Sequence, residues 1–139
     1  MHHALYVHVV WTTRDRARLI DAGVAQFVWR YCNHVGREMR ARILAGGFVQ
    51  THVHLIVRLH PTTAIPQLLQ RLKGGSSVLA VRQGYCARAR PLRWAKGYSV
   101  HSVSKRALPQ AIEYVRNQAR HHPDEAIPGW PPDRGVAAG

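Results

Sequence analysis

Two histidines separated by a single residue are the first side chains whose spacing suggests chemistry. The segment FVQTHVHLIVRL, residues 48–59, has the composition of a β-strand, in which successive side chains project from opposite faces. His52 and His54 therefore lie side by side on one face, and Val53 points to the other. Two imidazoles on a stiff strand supply half of a metal site. The alternative is a pair of ordinary half-buried histidines, each hydrogen-bonded to a neighbour.

A tyrosine and a glutamine near the end of the chain form a second pair. Tyr114 and Gln118, in EYVRNQARHH, are four residues apart and share a face if this segment is a helix. On their own they fit a packed tyrosine beside a solvated glutamine. Beside two histidines, the amide oxygen of Gln118 completes a small neutral site for Mg²⁺ or Mn²⁺, with positions left for phosphate oxygens. Tyr114 then lies one turn away as an attacking oxygen, activated by the metal ion and nearby arginines.

The charge balance of the chain indicates a polyanionic partner. The sequence has 20 Lys and Arg against 7 Asp and Glu, a formal net charge of +13. Because three of the acids lie in the last 17 residues, residues 1–122 carry 19 basic and 4 acidic side chains, a net +15. Such an excess repels itself unless a polyanion binds, and nucleic acid is the usual one. The alternative is a basic protein without a specific ligand.

The expected DNA contacts fall in three groups. An arginine-rich loop follows the first strand, a lysine precedes GGSS in the middle of the chain, and a later loop, RARPLRW, interleaves cations with a tryptophan. Arginine binds phosphates through paired hydrogen bonds, and aromatic rings stack on unpaired bases. A solvated turn explains the first loop almost as well, and the tryptophan could equally anchor the core. The predicted DNA-contacting residues are Arg14, Arg16, Arg18, Lys73, Arg88, Arg90, Arg93 and Trp94.

Seven secondary-structure elements are expected to position these residues. The order strand, helix, strand, strand, helix, strand, helix is typical of an α+β domain in which helices cover an antiparallel sheet. From Pro123, closely spaced prolines predict a tail without a packed core, so we expect one domain over residues 1–122 and a Pro-rich tail over 123–139. Hydrophobic periodicity predicts strands over 4–12, 42–49, 52–60 and within 96–104, and helices from Asp21 to about Arg40, over 63–84 with an interruption at Gly74–Gly75, and over 107–122.

Three other histidines and a glycine pair lie close to these groups. His8 shares its strand face with Tyr6 and is expected to be a packed, hydrogen-bonded side chain. His121 and His122 follow the tyrosine helix, where a solvated helix end is the simpler interpretation. The pair Gly46–Gly47 in the second strand suggests a bulge or a close approach of another backbone.

The sequence predicts a protein of the cytoplasm. No apolar run approaches the roughly 18 residues that a membrane helix needs. The first residues lack the basic stretch and apolar region of a signal peptide. The two cysteines are not spaced as CxxC, so reduced thiols are expected.

Five segments, taken in order, resemble one protein family. They are HVVWTTRDR in the first strand, HVH, LKGGSS, WAKGYSVHSVS and YVRNQARHH, and together they span about residues 5–122. The set is similar to the HUH endonuclease superfamily, named for its His–hydrophobic–His motif. More narrowly, it resembles the small single-tyrosine transposases of insertion sequences and the REP-associated tyrosine transposases.

The resemblance implies metal-dependent cleavage and rejoining of single-stranded DNA near a hairpin, through a covalent 5′-phosphotyrosine intermediate. It implies that Tyr114 is the nucleophile, and that Mg²⁺ or Mn²⁺ is held by His52, His54 and Gln118. It also implies an RRM-like or ferredoxin-like antiparallel sheet, with the histidine pair on a central strand, and a homodimer. In such a dimer the tyrosine helix of one subunit can complete the site of the other, and the alternative is a site formed within one chain. The alternatives are a domesticated relative that cuts at genomic repeats without moving itself, and a non-catalytic nucleic-acid-binding protein.

Overall fold

The fold is built on one four-stranded antiparallel sheet. A computed structural model describes residues 4–130, with the strands in the order β2-β3-β1-β4. The predicted α+β fold is confirmed, and β3, which carries the histidine pair, is a central strand. No helix within residues 4–130 has the length and apolar character needed to cross a membrane. The elements are β1 (Leu5–Thr12), α1 (Ala22–Glu38), β2 (Ala41–Val49), β3 (His52–Leu59), α2 (Ile65–Gln70), α3 (Ser76–Arg82), β4 (Ser99–Val103), α4 (Leu108–Arg116) and α5 (Gln118–His121).

One face of the sheet carries the main hydrophobic core. The helix α1 packs over this face, and it begins where the Asp21 carboxylate accepts a hydrogen bond from the backbone N–H of Val24 at 2.9 Å. This buried face determines the register of the two central strands, because a slip of one residue would move every apolar side chain from the main core to the opposite face of the sheet. The buried apolar residues of β1 and β3 on this side are Val7, Val9, Trp11, Val53, Leu55 and Val57.

The middle helix contains a wider turn at the glycine pair. A π-helical turn, Arg71–Gly75, joins α2 to α3 at the place where the sequence predicts an interruption. A Cβ atom on Gly75 would lie 1.7 Å from the hydroxyl oxygen of Tyr31, so the glycine allows α1 to approach this turn closely.

The opposite face of the sheet carries the histidines and is covered by α4 and α5. A small second core forms there from Ala45, Ile56 and Val115. The partly buried residues Leu108 and Ile112 of α4 pack around it. Helix α4 packs on β2 and β3, so this second core anchors the tyrosine helix over the histidine strand.

The last helix is not continuous, contrary to the prediction for residues 107–122. Helix α4 ends at Arg116, and Asn117 has a non-helical conformation with φ −103° and ψ 28° before α5 begins. The Asn117 side chain donates a hydrogen bond to the carbonyl of Glu113 at 2.8 Å. Asparagine competes in this way with the backbone bonds of a helix, which explains the break.

The segment that follows Pro123 packs on the domain as far as Trp130. Ile127 and Trp130 are buried, and the Trp130 ring meets Phe48 edge-on with the ring centroids 5.7 Å apart. The expectation of an unpacked tail is therefore wrong for residues 123–130, because two apolar side chains among the prolines reach the main core. Residues 131–139 of the predicted tail lie outside the described residues.

Candidate active site

The two strand histidines lie together on the face covered by α4. His52 is 5% exposed and His54 is 7% exposed, and their ring centroids are 5.1 Å apart. Cross-strand pairing places His52 opposite Thr12 and His54 opposite Val10. The predicted projection of both imidazoles from one face of a strand is confirmed.

Burial keeps both imidazoles in the neutral form, which is the form that binds metal ions. Burial, with the neighbouring histidines as a smaller cause, lowers the pKa of His54 to about 3. Burial also lowers the pKa of His52, against the opposing effect of the Glu125 carboxylate. Neither ring therefore carries a charge at neutral pH.

Each histidine of the pair uses its Nδ1 atom in a hydrogen bond. His8 Nε2 lies 2.8 Å from His54 Nδ1, and the Thr51 hydroxyl lies 3.0 Å from His52 Nδ1. The Nε2 atoms remain for other partners, an arrangement typical of histidines that bind metals. His8 is hydrogen-bonded, as the sequence predicts, but its partner is a site residue. The signal for this was its position on the histidine face, one strand away.

Gln118 presents an unpartnered oxygen in the same place. The residue is 1% exposed, and its Nε2 donates to the carbonyl of Tyr114 at 3.1 Å. Its Oε1 is buried without a hydrogen-bond partner. Such an atom costs free energy unless something occupies its lone pairs, so it is a candidate metal ligand. Gln118 also lies close enough to His52 to raise the pKa of that ring, in opposition to the larger effect of burial.

The donor set fits a divalent cation that binds oxygen and nitrogen. Within residues 4–130, no three His, Cys, Asp or Glu side chains converge as a metal site. The unpartnered Oε1 of Gln118 is therefore the side-chain atom that can join the two imidazoles as a third donor. Two neutral imidazoles and an amide oxygen add no charge, which suits an ion that also binds phosphate oxygens.

Tyr114 lies at the open edge of this group. Its side chain is 44% exposed, and its ring centroid is 6.1 Å from those of both His8 and His54. The ring centroid of His121 lies 4.7 Å from that of Tyr114, and the ring centroid of His122 lies 5.0 Å from that of His52. The site thus combines buried imidazole and amide groups with a phenol that is exposed to solvent.

A glycine in β2 allows the tyrosine helix to lie this close to the sheet. A Cβ atom on Gly47 would lie 1.9 Å from the carbonyl oxygen of Val115 and 2.8 Å from Cγ of Gln118. A Cβ atom on the neighbouring Gly46 would lie 2.5 Å from Cζ3 of the Trp29 side chain in α1. The predicted close approach of another backbone is confirmed at Gly47, whereas Gly46 meets a side chain, and the strand bulge lies earlier, between Ile43 and Ala45.

Two arginine-bearing loops meet beside the histidine end of the sheet. We call residues 13–18 and 86–94 the basic loops. Backbone and side-chain hydrogen bonds join them, from Arg14 N to Arg93 O at 2.9 Å and from Arg90 Nη2 to Arg18 O at 2.8 Å. Burial is the main cause of the lowered pKa of His52, and the positive charge of Arg16 in the first of these loops is the smallest contribution to it.

Two predicted DNA contacts have structural partners of their own. The Lys73 ammonium donates to the carbonyls of Ala95 and Gly97 at 2.8 and 2.7 Å. The Trp94 indole N–H donates to the Ser76 hydroxyl at 2.9 Å, and its ring meets Trp11 edge-on. Trp94 therefore anchors the second basic loop to the core. DNA contact by these residues and by Arg14, Arg16, Arg18, Arg88, Arg90 and Arg93 stays a prediction.

The family of the chain follows from its sequence match. Residues 1–118 match the model of the family described as "Transposase IS200 like". This chain belongs to the IS200-like transposases. The resemblance to single-tyrosine transposases is thereby confirmed. The chain is also similar to the ISDra2 transposase TnpA of Deinococcus radiodurans, with 22% identity over 123 residues, which cover 84% of this chain and 85% of that protein.

Two solved structures share the fold of this IS200-like transposase. A structure from Deinococcus radiodurans R1, assigned to the transposases, superposes with a TM-score of 0.62 and 23% identity, and the match covers 85% of this chain and 93% of that one. A REP-associated tyrosine transposase bound to a REP hairpin superposes with a TM-score of 0.64 and 14% identity, covering 92% of this chain and 70% of that one. These likenesses support the ferredoxin-like arrangement of the sheet.

Proposed function

We propose that this IS200-like transposase cleaves and rejoins single-stranded DNA through a covalent bond to Tyr114. The observation that carries the proposal is the convergence of an exposed phenol with two buried neutral histidines and the unpartnered amide oxygen of Gln118. The buried histidines and the unpartnered amide oxygen cost free energy of solvation, which a functional role would explain.

The chemistry of the proposed step follows from the position of Tyr114. Its phenol oxygen attacks the phosphorus of the scissile phosphodiester, and its proton passes to solvent, to which the side chain is 44% exposed. The bond between phosphorus and the 3′ oxygen of the preceding nucleotide breaks, and that oxygen takes up a proton and leaves as a 3′-hydroxyl. The phosphate stays on Tyr114 as a 5′-phosphotyrosine. Rejoining is the reverse reaction, with the 3′-hydroxyl of another strand end as the attacking group.

His52, His54 and Gln118 are the residues that would hold Mg²⁺ or Mn²⁺. When bound, such an ion supplies positive charge at the scissile phosphate and its leaving oxygen. Besides burial, the positive charge of Arg16 contributes to lowering the pKa of His52, and this side chain would contact the non-bridging phosphate oxygens. The other side chains of the basic loops would follow the DNA backbone as it leaves the site.

A folded DNA hairpin is the proposed recognition element. It is supported by the solved relative that is bound to a REP hairpin. A homodimer is proposed from the family resemblance. A domesticated relative that cuts at genomic repeats would use the same site. The site argues against a purely nucleic-acid-binding role, because binding alone needs neither a buried unpartnered amide nor a phenol beside it.

The experiment is an adduct assay with single-stranded DNA from the flanks of the transposase gene. Labelled DNA should remain attached to the wild-type protein in denaturing gels, and EDTA should abolish the adduct until Mg²⁺ or Mn²⁺ is added. Tyr114→Phe removes one oxygen, so it should bind the DNA and form no adduct. Tyr98→Phe is the matched control, because Tyr98 is similarly exposed at 42% and lies outside the site. An adduct formed by Tyr114→Phe would show that another residue is the nucleophile.

A further inference from the structure

A chain of hydrogen bonds connects the C-terminal segment to the first histidine of the pair. The Thr51 hydroxyl lies 2.6 Å from Oε1 of Glu125 and 3.0 Å from Nδ1 of His52. Thr51 is 2% exposed and His52 is 5% exposed, so water has little access to the hydroxyl and to the ring. Glu125 lies outside the group formed by His52, His54, Gln118 and Tyr114, and it meets that group through Thr51.

The direction of each bond follows from the groups involved. A carboxylate only accepts hydrogen bonds, so the Thr51 hydroxyl donates its single proton to Glu125. The same oxygen must then accept from His52, and Nδ1 of His52 therefore carries a hydrogen. In a neutral imidazole with hydrogen on Nδ1, the free lone pair is on Nε2. The protonation site of the His52 ring is thus determined by a carboxylate two groups away.

Backbone contacts hold Glu125 in place without help from its side chain. The Gln50 N–H donates to the Glu125 carbonyl at 2.8 Å, and the Gln50 side chain donates to the carbonyl of Ala126 at 3.1 Å. Ile127 and Trp130 bury their side chains in the main core just beyond. The anchored segment therefore positions the Glu125 carboxylate. The hydrogen bond to Thr51 is not needed to hold that segment in place.

We propose that Thr51 and Glu125 are positioning residues, which hold His52 in the tautomer whose Nε2 can bind a divalent cation. The inference rests on the proposed function, in which His52 is a metal ligand. Partners of this kind orient the ring and raise the basicity of the binding nitrogen. They also extend the site beyond residue 118, where the match to the family model ends.

The tautomer can be measured in the metal-free protein. Two-bond ¹H–¹⁵N correlation spectra of the ¹⁵N-labelled protein distinguish a hydrogen on Nδ1 from one on Nε2. In the wild type His52 should carry its hydrogen on Nδ1. Thr51→Val keeps the shape and removes the hydroxyl, so the Nε2–H form should become populated. Thr51→Ser retains the hydroxyl and should restore the wild-type spectrum.

A second variant tests the charge of the carboxylate. In Glu125→Gln the side chain can donate as well as accept, so the Thr51 hydroxyl is free to reverse and the Nε2–H form should again appear. Asp124→Asn is the matched control, because it removes the same charge from an exposed neighbour in the same segment. The control should leave the tautomer of His52 unchanged. If Thr51→Val does not fold, Glu125→Gln carries the test alone.

Manganese binding gives a second measurement that does not depend on cleavage. Titration calorimetry with Mn²⁺ should show a Kd raised about 10-fold or more by Thr51→Val, as for other outer partners of metal ligands, with Thr51→Ser and Asp124→Asn near the wild type. An unchanged tautomer and an unchanged Kd in folded Thr51→Val would overturn the proposal, as would an equal loss in Asp124→Asn. If the wild type bound no Mn²⁺ and formed no DNA adduct while the tautomer still shifted, the positioning contact would stand and the proposed function would fail.

Discussion

At the scale of single residues, burial determines the protonation of His54. In the folded protein burial, with smaller effects from neighbouring histidines, lowers the pKa of this ring to about 3. The unfolded chain takes up the same proton near the ordinary value of about 6.5. Between these two values the unfolded state binds more protons than the folded state. The free energy of unfolding therefore decreases as the pH is lowered through this window.

Replacement of His54 by Gln should make the stability of the metal-free protein less sensitive to acid. Glutamine does not titrate, so the contribution of His54 to the slope between pH 6.5 and the folded pKa of about 3 disappears. Urea unfolding at intervals from pH 7 to pH 4.5 measures that slope. His34→Gln, at an exposed position of α1, should retain the wild-type slope. Equal slopes for His54→Gln and the wild type would contradict the assignment.

The lowered pKa of the buried histidines also changes the lowest pH at which the proposed cleavage should occur. An unperturbed histidine would lose its metal as the pH drops through about 6.5, and the sequence alone predicts that limit. Burial lowers the pKa of both His52 and His54, so ligation should persist to lower pH. No residue type or spacing indicates this, because burial of the pair depends on the tyrosine helix that covers it.

At the scale of secondary-structure elements, the position of α4 depends on one glycine. The carbonyl oxygen of Val115 occupies the space that a side chain on Gly47 would need, with a Cβ contact of 1.9 Å. This oxygen belongs to the helix backbone, so it cannot move aside unless α4 moves. The second core under α4 is small, with Ala45, Ile56 and Val115 as its buried members, and offers little resistance to such a shift.

Gly47→Ala should therefore displace α4 and α5 from the sheet and abolish DNA adduct formation. Overpacking of this kind costs about 1–3 kcal/mol, and here the cost falls on the helix rather than on the main core. Hydrogen exchange should become faster over residues 108–121 and remain slow in β1 and β3. Gly74→Ala is the control, since no atom lies within 4 Å of its added Cβ. Slow exchange in the helix of Gly47→Ala would show that α4 tolerates the methyl group.

The sequence predicts an element well when the residues that stabilise it are neighbours in the chain, and poorly when they are far apart in sequence. The strand of His52 and His54 and the cap at Asp21 depend on neighbours in the chain, and their patterns identify them. The break at Asn117 is a competition between one side chain and the helix backbone, which periodicity does not detect. The packing of residues 123–130 depends on Phe48 and Gln50, far away in sequence, and their contacts outweigh the composition of a proline-rich segment.

At the scale of the whole molecule, the excess positive charge should appear as a strong salt dependence of DNA binding. The basic loops gather arginines beside the site, and each phosphate contact to a single strand contributes about 0.7 to the slope of log K against log salt. Joint replacement of Arg88, Arg90 and Arg93 by Ala should weaken binding and reduce that slope by up to about 2. The control replaces Arg37 and Arg82, on the helices of the opposite face. An unchanged slope would show that the second basic loop does not contact the DNA phosphates.

The docking of α4 on the sheet of its own chain indicates that each chain holds a complete site. Within one chain α4 buries Val115 against its own sheet, and Tyr114 lies beside its own His54. From the end of β4 to the start of α4 the chain advances five residues, which span at most about 17 Å when fully extended. An exchange of α4 would therefore require the β2 and β3 strands of a partner to lie within that reach of Val103.

A mixture of His52→Ala and Tyr114→Phe proteins tests this point. His52→Ala lacks a proposed metal ligand, and Tyr114→Phe lacks the proposed nucleophile, so each protein alone should be inactive. If every site forms within a single chain, a dimer of the two variants is inactive as well. We expect no DNA adduct after the two proteins have been mixed and allowed to exchange subunits. Exchange, if the proposed homodimer forms, is checked separately by a shift in mass between tagged and untagged chains. If the tyrosine helix were exchanged, one of the two sites in a mixed dimer would combine an intact His52 with an intact Tyr114. Recovery of the adduct to a fraction of the wild-type level would then show that the helix crosses between subunits.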